Sequence, residues 1–314
     1  MSVAFDSNVT LTVEIAFDSN PLDSSQTYTD VSDFLRRFSI QRGRATNLSQ
    51  FNPGSATVVL DNRDNRFSPN QTTHFYDSTN NRSKVQPLKR IRIKGAFGGT
   101  TYIIFSGFVE NFPANYPGQG SDAEVKIKCI DAFKLFNNTT LDALGWNLGI
   151  STLGVTTRLT FTQAQGLSSV RVKNILDSFG YTEQQISTGQ LEVQVQPSTD
   201  TVLAALRAVE LAENGTFFIA ADGKATFRDR NFRLTNTTTP AATFGQGVGE
   251  LNYVDIQTSF DDDKIVNTVQ RTRTGGSQQT AVSSDSVNRF GSNVLTQSGT
   301  LNVSDANVLS IAEQ

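Results

Sequence analysis

Apolar and polar residues alternate along most of the first 135 positions, and each alternating run stops at Gly, Pro, Asn or Asp. A period of two places successive side chains on opposite faces, so such runs predict half-buried β-strands. They fall at Val9–Phe17, Phe34–Arg42, Ser55–Asp61, Lys89–Phe97, Thr100–Asn111 and Ala123–Asp131. Gly98-Gly99 separates the fourth run from the fifth at hairpin spacing, where two glycines supply the positive φ angles of a tight primed turn. So many strands in so short a stretch predict a barrel or a sandwich. Between Phe67 and Lys84 the chain is long, polar and rich in Asn and Thr, with Pro69 near its start. Loops of that length usually carry function or move, and contact with another subunit is the expectation for this one.

After Phe136 the period changes. Val172, Ile175, Leu176 and Phe179 share one helical face in Val170–Phe179, and Gly180 follows as a stop. A second helix has Ser198 or Thr199 as its cap, Val202, Leu203, Leu206, Val209 and Leu211 along its face, and Asn214-Gly215 at its end. Thr216–Arg230 then reads as a hairpin turning at Asp222-Gly223. From Gly249 strands return at Leu251–Ser259, Ile265–Thr272, Gln278–Ser283 and Gln297–Leu301. A last helix begins near Asn302, with Val308, Leu309 and Ile311 apolar, and the chain is expected to stop inside it as part of a longer polypeptide. The predicted class is mainly β with an α+β module. The expected domains are a β domain over 1–136, an α+β module over 137–248 and a second β part over 249–314.

Composition sharpens this picture. Hydrophobic residues make up 37% and charged residues 18%, while 22 Phe stand against one Met and one Trp, a balance that suits pleated, half-buried surfaces. The formal net charge of −3 argues against a general nucleic-acid binder. One basic run, Lys84 to Lys94, interleaves Leu88, Ile91 and Ile93 with charge. It is either a strand with one solvated face or a basic lining that meets a passage or an acidic partner. No segment reaches the roughly 20 apolar residues of a membrane-spanning helix, and the N-terminus lacks the ordered regions of a signal peptide.

Catalytic chemistry finds little to work with. The single histidine, His74, lies in a polar loop, and the single cysteine, Cys129, alternates as a buried strand residue would. A structural zinc site needs about four Cys or His ligands, and a Ser/His/Asp arrangement would rest on His74 alone. Asp61-Asn-Arg-Asp-Asn-Arg66 superficially resembles a calcium loop but lacks the glycine at its sixth position and the glutamate at its twelfth, so a self-capped turn is the simpler reading. Asp261-Asp262-Asp263 is either a solvated turn or a weak cation site. Gly245-Gln-Gly-Val-Gly249 lacks the helix that a phosphate loop needs. No cofactor, no metal and no enzymatic activity are expected.

Several segments, in fixed order, resemble the hub and minor tail proteins of long-tailed bacteriophages. They are Leu11–Asp23 with Tyr28–Ser32, Arg42-Gly-Arg44, and Phe51–Pro69, which is the most recognisable stretch of that family. Pro87–Ile93, Phe105–Val109, Cys129–Phe133, Ala212–Phe218, Phe227–Arg230, and Ile265–Gln270 before Gly275-Gly276 follow. The family often has Gly where Asn65 stands. The resemblance covers nearly the whole chain and implies two tail-tube-like β-barrel domains with a helix-hairpin domain between them. It further implies a homotrimer whose two barrels per subunit form a pseudo-sixfold ring, joining a sixfold tube to a threefold tip, with viral DNA passing through.

The expected role is a structural part of the virion's tail tip or baseplate hub, made in the host cytoplasm. The partners implied are further copies of this chain, the tail tube or distal tail protein, and a tip, spike or fibre protein. The candidate interface residues are Asp61, Arg63, Asp64, Arg66 and Phe67, then His74, Phe75 and Tyr76, and the cations Lys89, Arg90, Arg92 and Lys94. A receptor- or carbohydrate-binding tail protein is the alternative, suggested by the Asn/Thr-rich loops and the Phe content.

Overall fold

The structure, a computed structural model, describes residues 9–44, 49–118, 122–141, 165–195, 200–232, 242–248, 250–257 and 265–313. The chain opens with β1 (Thr10–Ile15) and β2 (Thr29–Asp30), followed by two long strands, β3 (Leu35–Gly43) and β4 (Asn52–Asp61). A small hairpin, β5 (Tyr76–Asp77) with β6 (Arg82–Ser83), rises from the loop after β4. Then come β7 (Arg90–Phe97), β8 (Thr100–Asn111), β9 (Ala114–Asn115) and β10 (Glu124–Ile130). All six long runs of alternation became strands within a few residues of their expected ends. Gly98 and Gly99 have φ of 57° and 78°, as the primed turn between β7 and β8 requires.

These strands join in the order β2-β1-β7-β8-β10-β4-β3, with β9 added beside β10. Register explains the core. Val13 lies opposite Ile93 and Ile15 opposite Ile91, and all four are fully buried on one face. The same cluster takes in Val58 and Leu60 of β4, Val125 and Ile127 of β10, and the partly buried Phe38 and Ile40 of β3. Seven strands side by side would span roughly 29 Å if flat, at about 4.8 Å per step. One core shared by both ends therefore requires the sheet to wrap around it. The ladder is nevertheless open among the described residues, with β2 and β3 as its ends, so a closed barrel is not what it forms. Arg36 and Arg37 on the edge strand β3 pair with Asp61, Asp122 and Glu124. Charge on an edge strand is a usual guard against further pairing.

The second core belongs to helices. α1 (Phe133–Asn138) buries Phe133, Leu135 and Phe136. β11 (Gly166–Leu167) leads into α2 (Ser168–Phe179), which buries Val172, Ile175 and Leu176 and ends at Gly180, φ 81°. After β12 (Gln184–Ile186) and β13 (Glu192–Val193) comes α3 (Val202–Glu213), which ends at Asn214 in the left-handed region. Its cap is Thr201, whose side chain accepts from the Ala204 amide at 3.1 Å, whereas Ser198 and Thr199 lie outside the described residues. The predicted hairpin is β14 (Thr216–Ile219) and β15 (Ala225–Arg228), and β12 adds to β15 in parallel. Phe217, Phe227, Leu206 and Val209 fill the centre of this cluster.

The last part is smaller than a barrel. β16 (Thr268–Arg273) lies between β17 (Gln279–Val282), antiparallel, and, beyond α4 (Ser284–Phe290), β18 (Val294–Thr300), which is parallel. α5 (Asp305–Ala312) packs on this sheet and is capped by Ser304, whose side chain accepts from the Asn307 amide at 3.2 Å. α4 buries none of its side chains, so it has no apolar stripe to betray it. The strand expected over Leu251–Ser259 did not form in its described part. Residues 250–257 hold only a bridge between Phe244 and Leu251, while Thr258 and Ser259 lie outside the described residues. Among the described residues the expected second barrel is thus a three-stranded mixed sheet.

Candidate interface

The turn after β4 is built on one buried amide. Asn62 is fully buried, its Oδ1 accepts from the Phe67 amide at 2.9 Å, and its Nδ2 donates to Ser68 Oγ at 3.1 Å and the Tyr116 hydroxyl at 3.2 Å. Asn65 adopts φ 65°, which Asn or Gly tolerates best, and Tyr116 donates to its side chain. Asp61 accepts from the Arg63 amide at 3.0 Å and Nε at 3.1 Å, and Arg36 stands at 3.3 Å. The hydrogen bonds from Arg63, then that from Arg36, outweigh partial desolvation and hold the Asp61 carboxyl down at about 2. Asp64 repeats the pattern with Arg66, and its carboxyl is likewise lowered. No cation is needed to explain these carboxylates. The turn caps itself.

Two of the expected interface residues point inward. Phe67 is fully buried and Phe75 partly so, and they belong to an aromatic row packed against the first core. Phe17 stacks on Phe75 at 3.9 Å, Phe75 on Phe67 at 5.8 Å, and Phe67 meets Phe34 edge-on at 5.6 Å. Arg66 lies over the Phe34 ring at 3.8 Å. Such pairs favour offset or edge contacts and add to simple burial. What faces outward here is Arg63, Asp64, His74 and the β5–β6 tip. Tyr76 is half-buried and donates to Asn81, while Gln71 Oε1 takes the amides of Thr73 and His74, each at 2.8 Å.

The basic strand is neutralised within the chain. Arg92 and Lys94 both bind Glu14 of β1, Lys94 at 2.7 Å, and Arg92 lies over the Tyr28 ring at 3.8 Å. Lys89 donates to the Ser19 carbonyl at 3.0 Å. Arg90 is buried, donates to the Pro21 carbonyl at 2.9 Å and pairs with Glu183, beyond α2, at 2.5 Å. Of this run only Arg90–Lys94 lies in β7; Leu88 precedes it, exposed and at φ 64°, and Arg90 is buried, so the strand does not carry its charge on one solvated face.

Arg90 also belongs to a junction that alternation and composition did not reveal. Arg42 donates to the Ile219 carbonyl at 2.9 Å, Arg207 donates to the Phe51 carbonyl, and Phe51 stacks on Phe218 at 4.8 Å. Asp131 anchors the centre: its carboxylate accepts from the Gly54 amide at 2.5 Å and the Phe133 amide at 3.0 Å. Burial, the dominant influence, pushes this carboxyl up to about 6 despite those bonds. These contacts lock the helix-hairpin module onto the β-sheet module. Only long-range pairing reveals them, so no local pattern could have signalled their roles.

The other surface feature is an apolar row. Phe244, Val248, Leu251, Tyr253, Val254 and Ile256 are all exposed, with Val248 and Val254 fully so. An exposed apolar run of this kind marks an interaction surface. Its signal was present in the sequence as the strand expected at Leu251. Among the described residues no three His, Cys, Asp or Glu side chains group to hold a metal, and no helix is long and apolar enough to cross a membrane. Cys129 is buried in β10, and burial raises its thiol pKa far above the ordinary value.

No family sequence model matches the chain, and comparison with curated proteins found no match. Its architecture does have counterparts. A tail protein from Neisseria meningitidis MC58 superposes with a TM-score of 0.51 and 9% identity, over 95% of this chain and 72% of that one. Prophage tail protein gp18 from Listeria monocytogenes EGD-e gives 0.50 and 9%, over 96% and 75%. Both superpositions take in nearly the whole of this chain. The fold of this chain is that of phage tail proteins.

Proposed function

We propose that this chain is a structural, non-enzymatic component of a bacteriophage tail tip or baseplate hub. It assembles with copies of itself into a homotrimer that joins the tail tube to the tip or fibre and surrounds the DNA exit passage. The observation that carries this reading is the likeness in fold to tail proteins along almost the whole chain. Assembly is supported by the exposed apolar row from Phe244 to Ile256, which a solitary soluble molecule would have reason to cover. In this reading the three-stranded sheet is the counterpart of the second barrel. It would be completed by strands from a neighbour.

The net charge of −3 and the internal pairing of Arg90, Arg92 and Lys94 suit a passage that does not hold DNA tightly along this strand. A passage needs that property, because each phosphate contact slows transit. The outward residues Arg63, Asp64, His74 and the β5–β6 tip are the proposed contacts to a neighbouring protein. Negative-stain microscopy of the concentrated protein tests the reading. Closed rings with threefold symmetry are expected, and a field of single, unassociated molecules would count against it.

A further inference from the structure

Arg271 is nearly fully buried, yet no carboxylate meets it among the described residues. It projects from β16 toward the end of α3, where its NH2 group donates to the Leu211 carbonyl at 2.5 Å. Its Nε–H has no hydrogen-bond partner among the described residues. The C-terminal end of a helix carries about half a negative elementary charge, so it offsets only part of a guanidinium. The two acidic side chains on that end of α3 are used elsewhere. Glu210 binds Arg207 and the Phe217 amide, and Glu213 takes Ser168 Oγ and the amides of Gln190 and Leu191. Burial lowers the Arg271 pKa to about 10, which leaves it charged at neutral pH.

The guanidinium borders a cavity of 330 Å³ between the end of α3 and the terminal sheet, whose polar lining includes Asn214, Gln297, Arg44 and Glu210, the last already paired with Arg207. A buried charge with an unused donor is costly unless something answers it. A carboxylate matches a guanidinium in shape and charge, and the small, partly apolar lining suits it better than a phosphate. We infer that this cavity is a carboxylate-binding site, with Arg271 as the charged contact and Asn214 and Gln297 as polar neighbours. The carboxylate comes either from an Asp or Glu of a second copy or from a free carboxylate compound.

The test is nitrogen-edited NMR of arginine Nε–H groups in the whole chain, with the Arg271 resonance assigned through Arg271→Lys. Sodium acetate is added, with sodium chloride at equal ionic strength as control. A saturable shift of that resonance with acetate alone supports the site and a free ligand. The same shift developing with protein concentration, before any acetate, supports the site and assigns the carboxylate to a second copy. A resonance protected from exchange and unmoved by either treatment overturns the site. It would mean that trapped water links Nε–H to the buried, unpaired Thr300 Oγ1 and Asn302 Oδ1. If the lysine variant does not fold, thermal unfolding of the unaltered protein decides. A midpoint that rises and then saturates with acetate supports the site, whereas no rise beyond chloride, or one that grows linearly with acetate as a general salt effect does, overturns it.

Discussion

Arg90 of β7 and Glu183, in the segment between α2 and β12, form an ion pair at 2.5 Å that fastens the first sheet to the helix-hairpin module. Arg90 is the buried partner, with the Phe108 ring centroid at 5.2 Å and the Tyr181 centroid at 5.7 Å, while Glu183 is partly open to solvent. The two partners should therefore respond unequally. Arg90→Ala should lower stability by about 3 kcal/mol, since it removes a buried cation, its ring contacts and the bond to Pro21. Glu183→Gln should cost about 1 kcal/mol. Urea unfolding of both variants and the double variant measures the coupling.

Asn62 supports the turn between β4 and the aromatic row. Asn62→Ala leaves the Phe67 amide without its acceptor and a cavity beside Ser68 and Tyr116, and should cost about 2 to 3 kcal/mol. The loss should be accompanied by a change in near-ultraviolet circular dichroism, because Phe67 and Phe75 depend on that turn. Unchanged spectra with unchanged stability would refute the role given to Asn62.

Asp131 sets a pH dependence. Its folded-state pKa, about 6, lies above the ordinary carboxylate value, so the folded state holds this proton more tightly than the unfolded one. Its contribution is fully present below the unfolded pKa near 4 and is lost as pH rises through about 6. Stability attributable to this group should fall by about 1 to 3 kcal/mol between pH 4 and pH 7. Asp131→Asn removes that slope, because Asn does not titrate. Denaturation midpoints for both proteins at several pH values provide the comparison.

The sequence foretold local structure well where one face was buried. Val13, Ile15, Ile91 and Ile93 alternate because their strands have an inside and an outside, and the strands they predicted are the strands found. It spoke poorly wherever the cause was distant. Nothing near Arg90 announces Glu183, nothing near Asp131 announces Gly54, and the exposed helix α4 lacks the apolar stripe that would mark it. Part of the candidate surface turned inward for a legible reason: Phe67 and Phe75 are aromatic, and their place in a polar loop hid that they pack against the first core. The stretch Leu251–Ser259 has the pattern of a strand. In the single chain its described residues have no ladder to join, and its side chains stand exposed.

That exposure makes the apolar row the place to test assembly. Val254 is fully exposed, so Val254→Asp should change the stability of the single chain by less than about 0.5 kcal/mol. The same change would bury a charge in any interface built on this row, and should reduce self-association at least about tenfold, or about 1.4 kcal/mol. Sedimentation of the variant beside the unaltered protein measures the difference.

Light scattering across a concentration series of the unaltered protein is the most direct measurement of the central claim. A mass that rises with concentration to three times the 34.2 kDa of one chain is the predicted result. A mass that stays at one chain up to the highest soluble concentration would contradict the account.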